Sequence, residues 1–411
     1  MLAINAERLL ADLDDLGRIG RTKEGGVSRP ALSAADVEGR AWFYHRVQAA
    51  GLAFRQDGAG NLSAVLLAPD AAAPTLLLGS HLDTVSNGGP YDGALGVLAA
   101  LEVLRTVHEA GLDLPVTLEA ISFTDEEGTV IGLLGSSALA GLVTPADLKQ
   151  ARGGADALNA GLARIGISRE SVLAARREAA GLAAYVEVHV EQGVRLEEAG
   201  IDIGVVEAIV GIRSMWLRFQ GRAAHAGTMP MDRRADALWG ASAFVQQARD
   251  LVMARFSPGV INCGRIQVQP GAFNIVPAQV DLAVEFRHAR EADLDEMQAA
   301  LLDLAQRCAQ ENRLTVSAEI TGEGRAAPMH ATVMAAIEAA AQRLGLSHTR
   351  LVSFAGHDTQ SLSTVTPAAM FFVPSVNGIS HNPQEFTQEQ DLVNGANVLL
   401  HTALGLAGTN Q

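Results

Sequence analysis

"GSHLDTVSNGGPYDGALGV", Gly79–Val97, is the stretch from which the fold is read. The apolar run "TLLLGS" leads into it and "GALGVLAALEVL" leads out. A short apolar run that ends in turn residues reads as a buried strand, and the longer apolar stretch after Gly93 reads as a helix. Strand, glycine-rich loop and helix make half of an α/β unit. In open sheets of that kind ligands bind beyond the carboxyl ends of the strands. His81, Asp83 and Asp92 stand in that loop. The plain alternatives are an N-cap for Asp92 and a structural histidine for His81.

Outward from this loop the pattern repeats. "LSAVLLA", "VTLEAISFT" and "AAYVEVHV" read as further buried strands. "ADVEGRAWFYHRVQAAG" and "GVLAALEVLRTVHEAG" read as helices closed by glycine. Alternating strand and helix predicts an α/β fold with a mainly parallel mixed sheet. Near Val210 the periodicity changes. "SMWLRFQG" alternates apolar and polar. A helix, two strands, a second helix and the strand "LTVSAEITGE" follow. That order, β-α-β-β-α-β, predicts a ferredoxin-like α+β domain. From about residue 326 the α/β character returns. The expected organisation is a discontinuous domain of residues 1–209 and 324–411 with residues 210–323 inserted.

The chain has 411 residues, of which 48% are hydrophobic and 19% charged, enough apolar material for large cores. A net charge of −15 argues against nucleic-acid binding and against docking on anionic membranes. No apolar stretch is long enough to span a bilayer. The first residues, "MLAINAERLLADLDDLG", read as an amphipathic helix rather than a signal peptide. Cys263 and Cys308 make neither a disulfide framework nor a zinc-finger pattern, and they read as small core residues. The expected compartment is the reducing cytoplasm.

Three further strand ends carry polar side chains. "ISFTDEEG" delivers Asp125, Glu126 and Glu127; "YVEVHVEQG" delivers His189, Glu191 and Gln192; "FFVPSVNGISHNPQEFT" delivers His381 with Glu385 nearby. Adjacent carboxylates are harmless on a solvated turn, whereas in a cleft they need a cation. Imidazole with carboxylate, without thiolate, suits zinc and related divalent metals. So many ligands can hold two ions that share one bridging carboxylate.

"HLDTVSNGGPYDGALGV", "TDEEGTVIGLLGS", "HVEQG", "GRAAHAGTMPMDRRADA", "GAFNIVPAQVDLAVEFRH", "AGHDTQ" and "PSVNGISHNPQE" occur in that order. Together they resemble the hydantoinase/carbamoylase branch of the dinuclear-zinc exopeptidase superfamily. The branch includes N-carbamoyl-L-amino-acid hydrolases, β-ureidopropionases and allantoate amidohydrolases. The resemblance implies a metal-binding catalytic domain, an inserted lid and dimerisation domain, and two divalent ions per subunit (zinc, manganese, cobalt or nickel). It implies that Asp92 bridges the ions, with His81 and His189 on one and Glu127 and His381 on the other. Glu126 matches the general base, and Asp83 the acid that orients His81. His225 matches a histidine that reaches the partner subunit's site in a homodimer and stabilises the oxyanion. Asn274 and Arg287 match a carboxylate-binding pair, and Gln192 a substrate amide contact. Gly356 and His357 match the lining of the substrate pocket. Arg213 resembles an arginine of allantoate amidohydrolases; the alternative for it is an exposed strand arginine.

The implied reaction is hydrolysis of the carbamoyl amide bond of an N-carbamoyl-L-amino acid or similar ureido acid, with release of ammonia and carbon dioxide. Allantoate is the alternative substrate. More distant alternatives are a dipeptidase or aminoacylase and a non-catalytic binding protein on the same fold. The chain departs from the family pattern at Met229, where threonine is common, and at Thr359 and Gln360, where smaller residues are common.

Overall fold

The structure, a computed structural model, describes residues 1–408. The chain divides into two compact units. The larger comprises residues 1–207, 329–351 and the segment from 357 on; the smaller comprises 208–328 and 352–356.

The strands in chain order are β1 (Ala53–Gln56), β2 (Leu62–Leu66), β3 (Thr75–His81), β4 (Thr117–Phe123), β5 (Leu182–Val190) and β6 (Ile203–Ile209). Then come β7 (Gly211–Gln220), β8 (Val260–Gln269), β9 (Gln279–His288) and β10 (Thr315–Gly324). The last three are β11 (Ala327–Pro328), β12 (His348–Ser353) and β13 (Ala368–Val373).

The larger unit is built on a nine-stranded mixed sheet in the order β1-β2-β4-β3-β5-β13-β6-β11, with β12 also paired to β6. Its centre, β4-β3-β5-β13, is parallel, and β1, β2 and β6 pair antiparallel outside it. Helix Ala94–Glu109 packs on β3 and β4 and beneath helices Ala6–Arg18 and Glu389–Leu406. It is buried continuously from Ala94 to Val107, so its sequence is mostly apolar, and its two buried charges, Glu102 and Arg105, pair with Arg8 and Asp12. Helix Ala6–Arg18 is the amphipathic helix expected at the start of the chain. Asn5 caps it by accepting from the Arg8 N–H.

The smaller unit has the sheet order β10-β7-β9-β8, antiparallel throughout. Helices Ala237–Arg255 and Glu291–Glu311 close one face over a core that includes Leu217, Phe219, Phe244, Phe286 and Leu301, all fully buried. The strict alternation of burial along β7 follows its apolar-polar alternation. This unit runs past residue 323 for a reason hydropathy does not register. After β10, Ala327 and Pro328 pair with Ile209 and Ala208, and the Val210 N–H donates to the Ser353 carbonyl. Among the described residues no helix is long and apolar enough to cross a membrane. Both cysteines are free.

Candidate metal centre

Parallel strands present their carboxyl ends at one edge of a sheet. His81 is the last residue of β3 and His189 the last but one of β5. Asp125, Glu126 and Glu127 follow β4, and His381 follows β13. Asp92 stands just before helix Ala94–Glu109. It does not cap that helix: the cap position is Gly93 and carries no side-chain bond. A Cβ on Gly93, whose φ is +64°, would fall 2.4 Å from the His81 ring. Only glycine lets the backbone pass there.

The two oxygens of Asp92 face two different groups. Oδ1 is 3.0 Å from His189 Nε2 and 3.8 Å from His81 Nε2. Oδ2 is 3.2 Å from His381 Nε2, and it accepts from Gln192 Nε2 at 3.0 Å and from Ser380 Oγ at 3.2 Å. Two donor sets result, His81–Asp92–His189 and Asp92–Glu127–His381, each with its atoms within 4.8 Å of one another. Glu127 Oε1 is buried without a hydrogen bond, 3.5 Å from His381 Nε2. Glu126 Oε2 lies 3.6 Å from His81 Nε2.

The other ring nitrogens are tethered. His81 Nδ1 is 2.9 Å from the Asp83 carbonyl oxygen, and His189 Nδ1 is 2.8 Å from that of Val190. Both rings therefore keep Nε2 for the site. The Asp83 carboxylate has a second task beside the His81 ring. It stands 3.7 Å from His81 Nδ1 and accepts the backbone N–H of Glu126 at 3.3 Å and of Glu127 at 3.2 Å. Asp125 turns back on its own loop and takes the N–H groups of Thr129, Val130 and Ile131. The three consecutive acids thus separate into one loop-former and two site groups. Asp125, Gln192 and His381 all adopt left-handed backbone angles (φ 58°, 57° and 54°). Such conformations cost about 1–3 kcal/mol each and concentrate at functional sites.

Two further acids support the site: Glu385, which the sequence places near His381, and Glu187, which the sequence motifs did not single out. Glu385 Oε1 accepts the N–H groups of Tyr91 and Asp92, both at 3.1 Å, and Oε2 accepts from Ser380 Oγ at 2.9 Å. It therefore holds the backbone of Asp92 in place. Glu187 is fully buried and accepts from Ser80, Tyr185 and Thr359 hydroxyls. Thr359, a departure from the family pattern, contributes the shortest of those bonds at 2.6 Å. Glu187, His189 and His357 also form a third donor group. Its carboxylate is already filled by those hydroxyls, so it suits an ion less well than the other two. His357 stacks edge-on against His189, ring centroids 4.6 Å apart, and burial followed by the His189 charge pushes its pKa well down.

The electrostatics point to a cation. Burial, reinforced by Asp358 and Glu127, holds Glu126 well above the usual carboxylate range. Burial and then Asp92 lift Glu127 to about 8. Burial and then Asp36 lift Asp83 to about 7. Burial opposes ionisation of Asp92, but His189 and His381 overrule it and hold this carboxyl well below its ordinary value. Burial takes His81 down to about 4. Burial also acts against a charge on His189, but the Asp92 hydrogen bond and charge raise it to about 9. So many carboxylates in so little water are stabilised by divalent cations, and the oxygen-and-imidazole donors match such ions.

The remaining residues lie in the smaller unit or at its boundary. His225 and Asn274 are exposed on adjoining loops, where the Ala226 N–H donates to the Asn274 carbonyl and His225 bridges Ile275. Arg287 donates to Glu285 Oε1 and to the Phe354 carbonyl. Gly356 is the last residue of the 352–356 segment. Arg213 is buried, not exposed. Its guanidinium is taken up by Glu291, Asp295 and the Gly324 carbonyl, all within the smaller unit.

Residues 77–405 match the peptidase family M20/M25/M40. The chain is 34% identical to the N-carbamoyl-L-amino acid amidohydrolase of Geobacillus stearothermophilus, over 98% of this chain and 99% of the relative. This chain belongs to the M20/M25/M40 family, in its hydantoinase/carbamoylase branch. It is 32% identical to the allantoate amidohydrolase of Escherichia coli, over 93% and 94% of the two chains. A crystal structure of a hydantoinase/carbamoylase family amidase from Burkholderia multivorans superposes with a TM-score of 0.90 at 35% identity, covering 99% of this chain and 98% of that one. As a member of this branch the chain is a hydrolase, and the α/β architecture with a mainly parallel mixed sheet is the family fold.

Proposed function

We propose that the protein hydrolyses the carbamoyl amide bond of an N-carbamoyl-L-amino acid or a similar ureido acid, releasing ammonia and carbon dioxide. The observation that carries this reading is Asp92, whose two oxygens face His81 with His189 on one side and Glu127 with His381 on the other. We assign two divalent ions to these two sets, with Asp92 shared. Bound there, they supply Lewis acidity and lower the pKa of water toward ~7. Glu126 is assigned as the base. Its Oε2 takes a proton from the attacking water and returns it to the departing nitrogen. Its raised affinity for a proton supports that role, as does its nearness to His81. Gln192, His357 and Gly356 are assigned to the substrate pocket, and Asn274 and Arg287 to the substrate carboxylate.

His225 is assigned to the oxyanion in the neighbouring subunit of a homodimer assembled through the smaller unit. The open edge strand β8, with Val260 and Ile266 exposed, supports assembly through this unit. Allantoate remains within the same substrate class. The ion pairs of Arg213 do not favour it over other ureido acids.

The test is ammonia release by the manganese-, cobalt- and zinc-loaded protein from a panel of N-carbamoyl-L-amino acids, N-carbamoyl-β-alanine and allantoate. Turnover of an N-carbamoyl-L-amino acid is expected. No ammonia from any of these ureido acids with the metal-loaded protein would overturn the reading. Mixing His225→Ala with Glu126→Gln subunits tests the trans assignment. Heterodimers should regain activity, and confirmed heterodimers that stay inactive would refute it.

A further inference from the structure

The chain carries 46 acidic residues against 31 lysines and arginines, yet one concavity of the smaller unit, about 970 Å³ in volume, is lined by three arginines and no carboxylate. The arginines come from three separate segments. Arg222 follows β7, Arg233 closes the short turn Met231–Arg233, and Arg313 stands in the loop that enters β10.

The floor is built by the sheet. Gln220 is in register with Thr315 on one side and with Gln279 on the other, so the three side chains line one row across three strands. Asp281, two residues along β9, is spent on Arg218 at 2.6 Å and on Gln279 at 2.8 Å. It therefore leaves the arginines uncompensated.

The rim is held in shape. The Gly221 N–H donates to the Ala278 carbonyl at 2.7 Å, and the Arg222 N–H to the Ala235 carbonyl at 3.0 Å. Arg313 has a left-handed backbone, φ 59°, and its guanidinium donates to the Asp232 carbonyl, which ties its loop to the turn that carries Arg233. Among the described residues the Arg222 and Arg233 guanidinium groups have no hydrogen-bond or ion-pair partner.

Three like charges around one concavity repel one another. An anion removes that cost and uses the forked donors, which match carboxylate and phosphate oxygens in pairs. The volume is that of a small-molecule site and exceeds what a single inorganic ion fills. We propose that this concavity binds a small polyanion, a molecule with two or more carboxylate or phosphate charges. The site goes beyond the hydrolase assignment and does not rest on it. Every residue that forms it belongs to the smaller unit, whereas the Asp92-centred donor sets belong to the larger.

The test uses the full chain, freed of metal by dialysis, with succinate and inorganic phosphate as separate probes in titration calorimetry at low salt. At least one probe should bind saturably, one per chain, and bind more weakly as sodium chloride is added. R222Q/R233Q should weaken that binding at least ~10-fold, since each forked pair of charged hydrogen bonds is lost. Because neither guanidinium holds a protein partner, the double variant keeps the wild-type melting temperature. R222K/R233K, which keeps the charge and loses the fork, should fall between. If succinate binds and phosphate does not, the physiological ligand is a polycarboxylate; the reverse result assigns a phosphate ester. Two results would overturn the proposal: no saturable binding of either probe below about 10 mM, or unchanged binding in R222Q/R233Q.

Discussion

Buried charge in the smaller unit differs from that at the strand ends of the larger one. In the smaller one each buried charged side chain has a partner. Arg213 pairs with Glu291, Asp281 with Arg218 and His288 with Asp293, and Asp236 accepts from the N–H of Leu238 at the start of its helix. The rest of its interior is an apolar jigsaw. In the larger one, the carboxyl ends of the parallel strands gather Asp83, Asp92, Glu126, Glu127, His81, His189 and His381 with more negative than positive charge. Matched charge is architecture. Charge left over is the mark of a site that expects a cation and a reaction.

Chelation should break the larger unit's side of this contrast most completely. Removing divalent ions is expected to abolish hydrolysis, with recovery when zinc, manganese or cobalt is returned. Hydrogen exchange should quicken at the strand ends of the larger unit and stay unchanged in the smaller. The metal-free protein should also be pH-sensitive. Glu127 has a folded pKa of about 8 against an ordinary 4.5, so its contribution is full below 4.5 and is lost as pH rises through about 8. Melting temperatures of the metal-free protein from pH 5 to 9 should therefore fall, and fall less once the protein is loaded.

Glu126→Gln comes next in size. It should leave the metal content intact and lower kcat by ~10²–10⁴-fold, the usual cost of losing a general base. A variant within a few-fold of wild type would move the base elsewhere. Phe286→Ala probes the other unit. Emptying a fully buried aromatic position should destabilise the smaller unit by about 3–5 kcal/mol. Metal affinity measured by competition with a chromophoric chelator should not change.

The smallest effect is expected from Glu385→Gln. Its two bonds to the Tyr91 and Asp92 N–H groups weaken when the carboxylate becomes an amide. Metal affinity should drop roughly 10-fold, as for other residues that orient ligands from behind. Loss of stability without loss of affinity would make Glu385 purely structural.

Much of this was legible in the sequence, and the parts that were not have identifiable causes. The apolar runs before His81, Asp125, His189 and His381 marked strand ends, because a buried strand must be apolar on both faces. The β-α-β-β-α-β order of the inserted segment was readable from a change of period near Val210. The region from Leu134 to Leu173 was not resolved into elements by that reading. It forms four short helices, with Leu134, Leu148, Leu158 and Leu162 in a small core that they share with Ala31, Leu32 and Ala59. Helices of five to eleven residues show too few turns for a period to stand out. Glu187, and the contact that Glu385 makes with the Asp92 backbone, were hidden for a different reason. Their partners lie 172 and 293 residues away in the chain, at Thr359 and Asp92, and no local pattern encodes such pairs.

By itself the sequence determined which chemical groups stand at which strand ends, because hydropathy along the chain marks where a strand leaves the core. Only the tertiary structure decided which way each group faces. Asp125 looks into its own turn, Asp83 gathers the Glu126 and Glu127 backbone, and Asp92 divides its two oxygens between two sets of donors. The identity of a carboxylate is local. Its direction depends on a few left-handed backbone angles and on hydrogen bonds to segments far along the chain, and these exist only once the sheet has brought those segments to one edge.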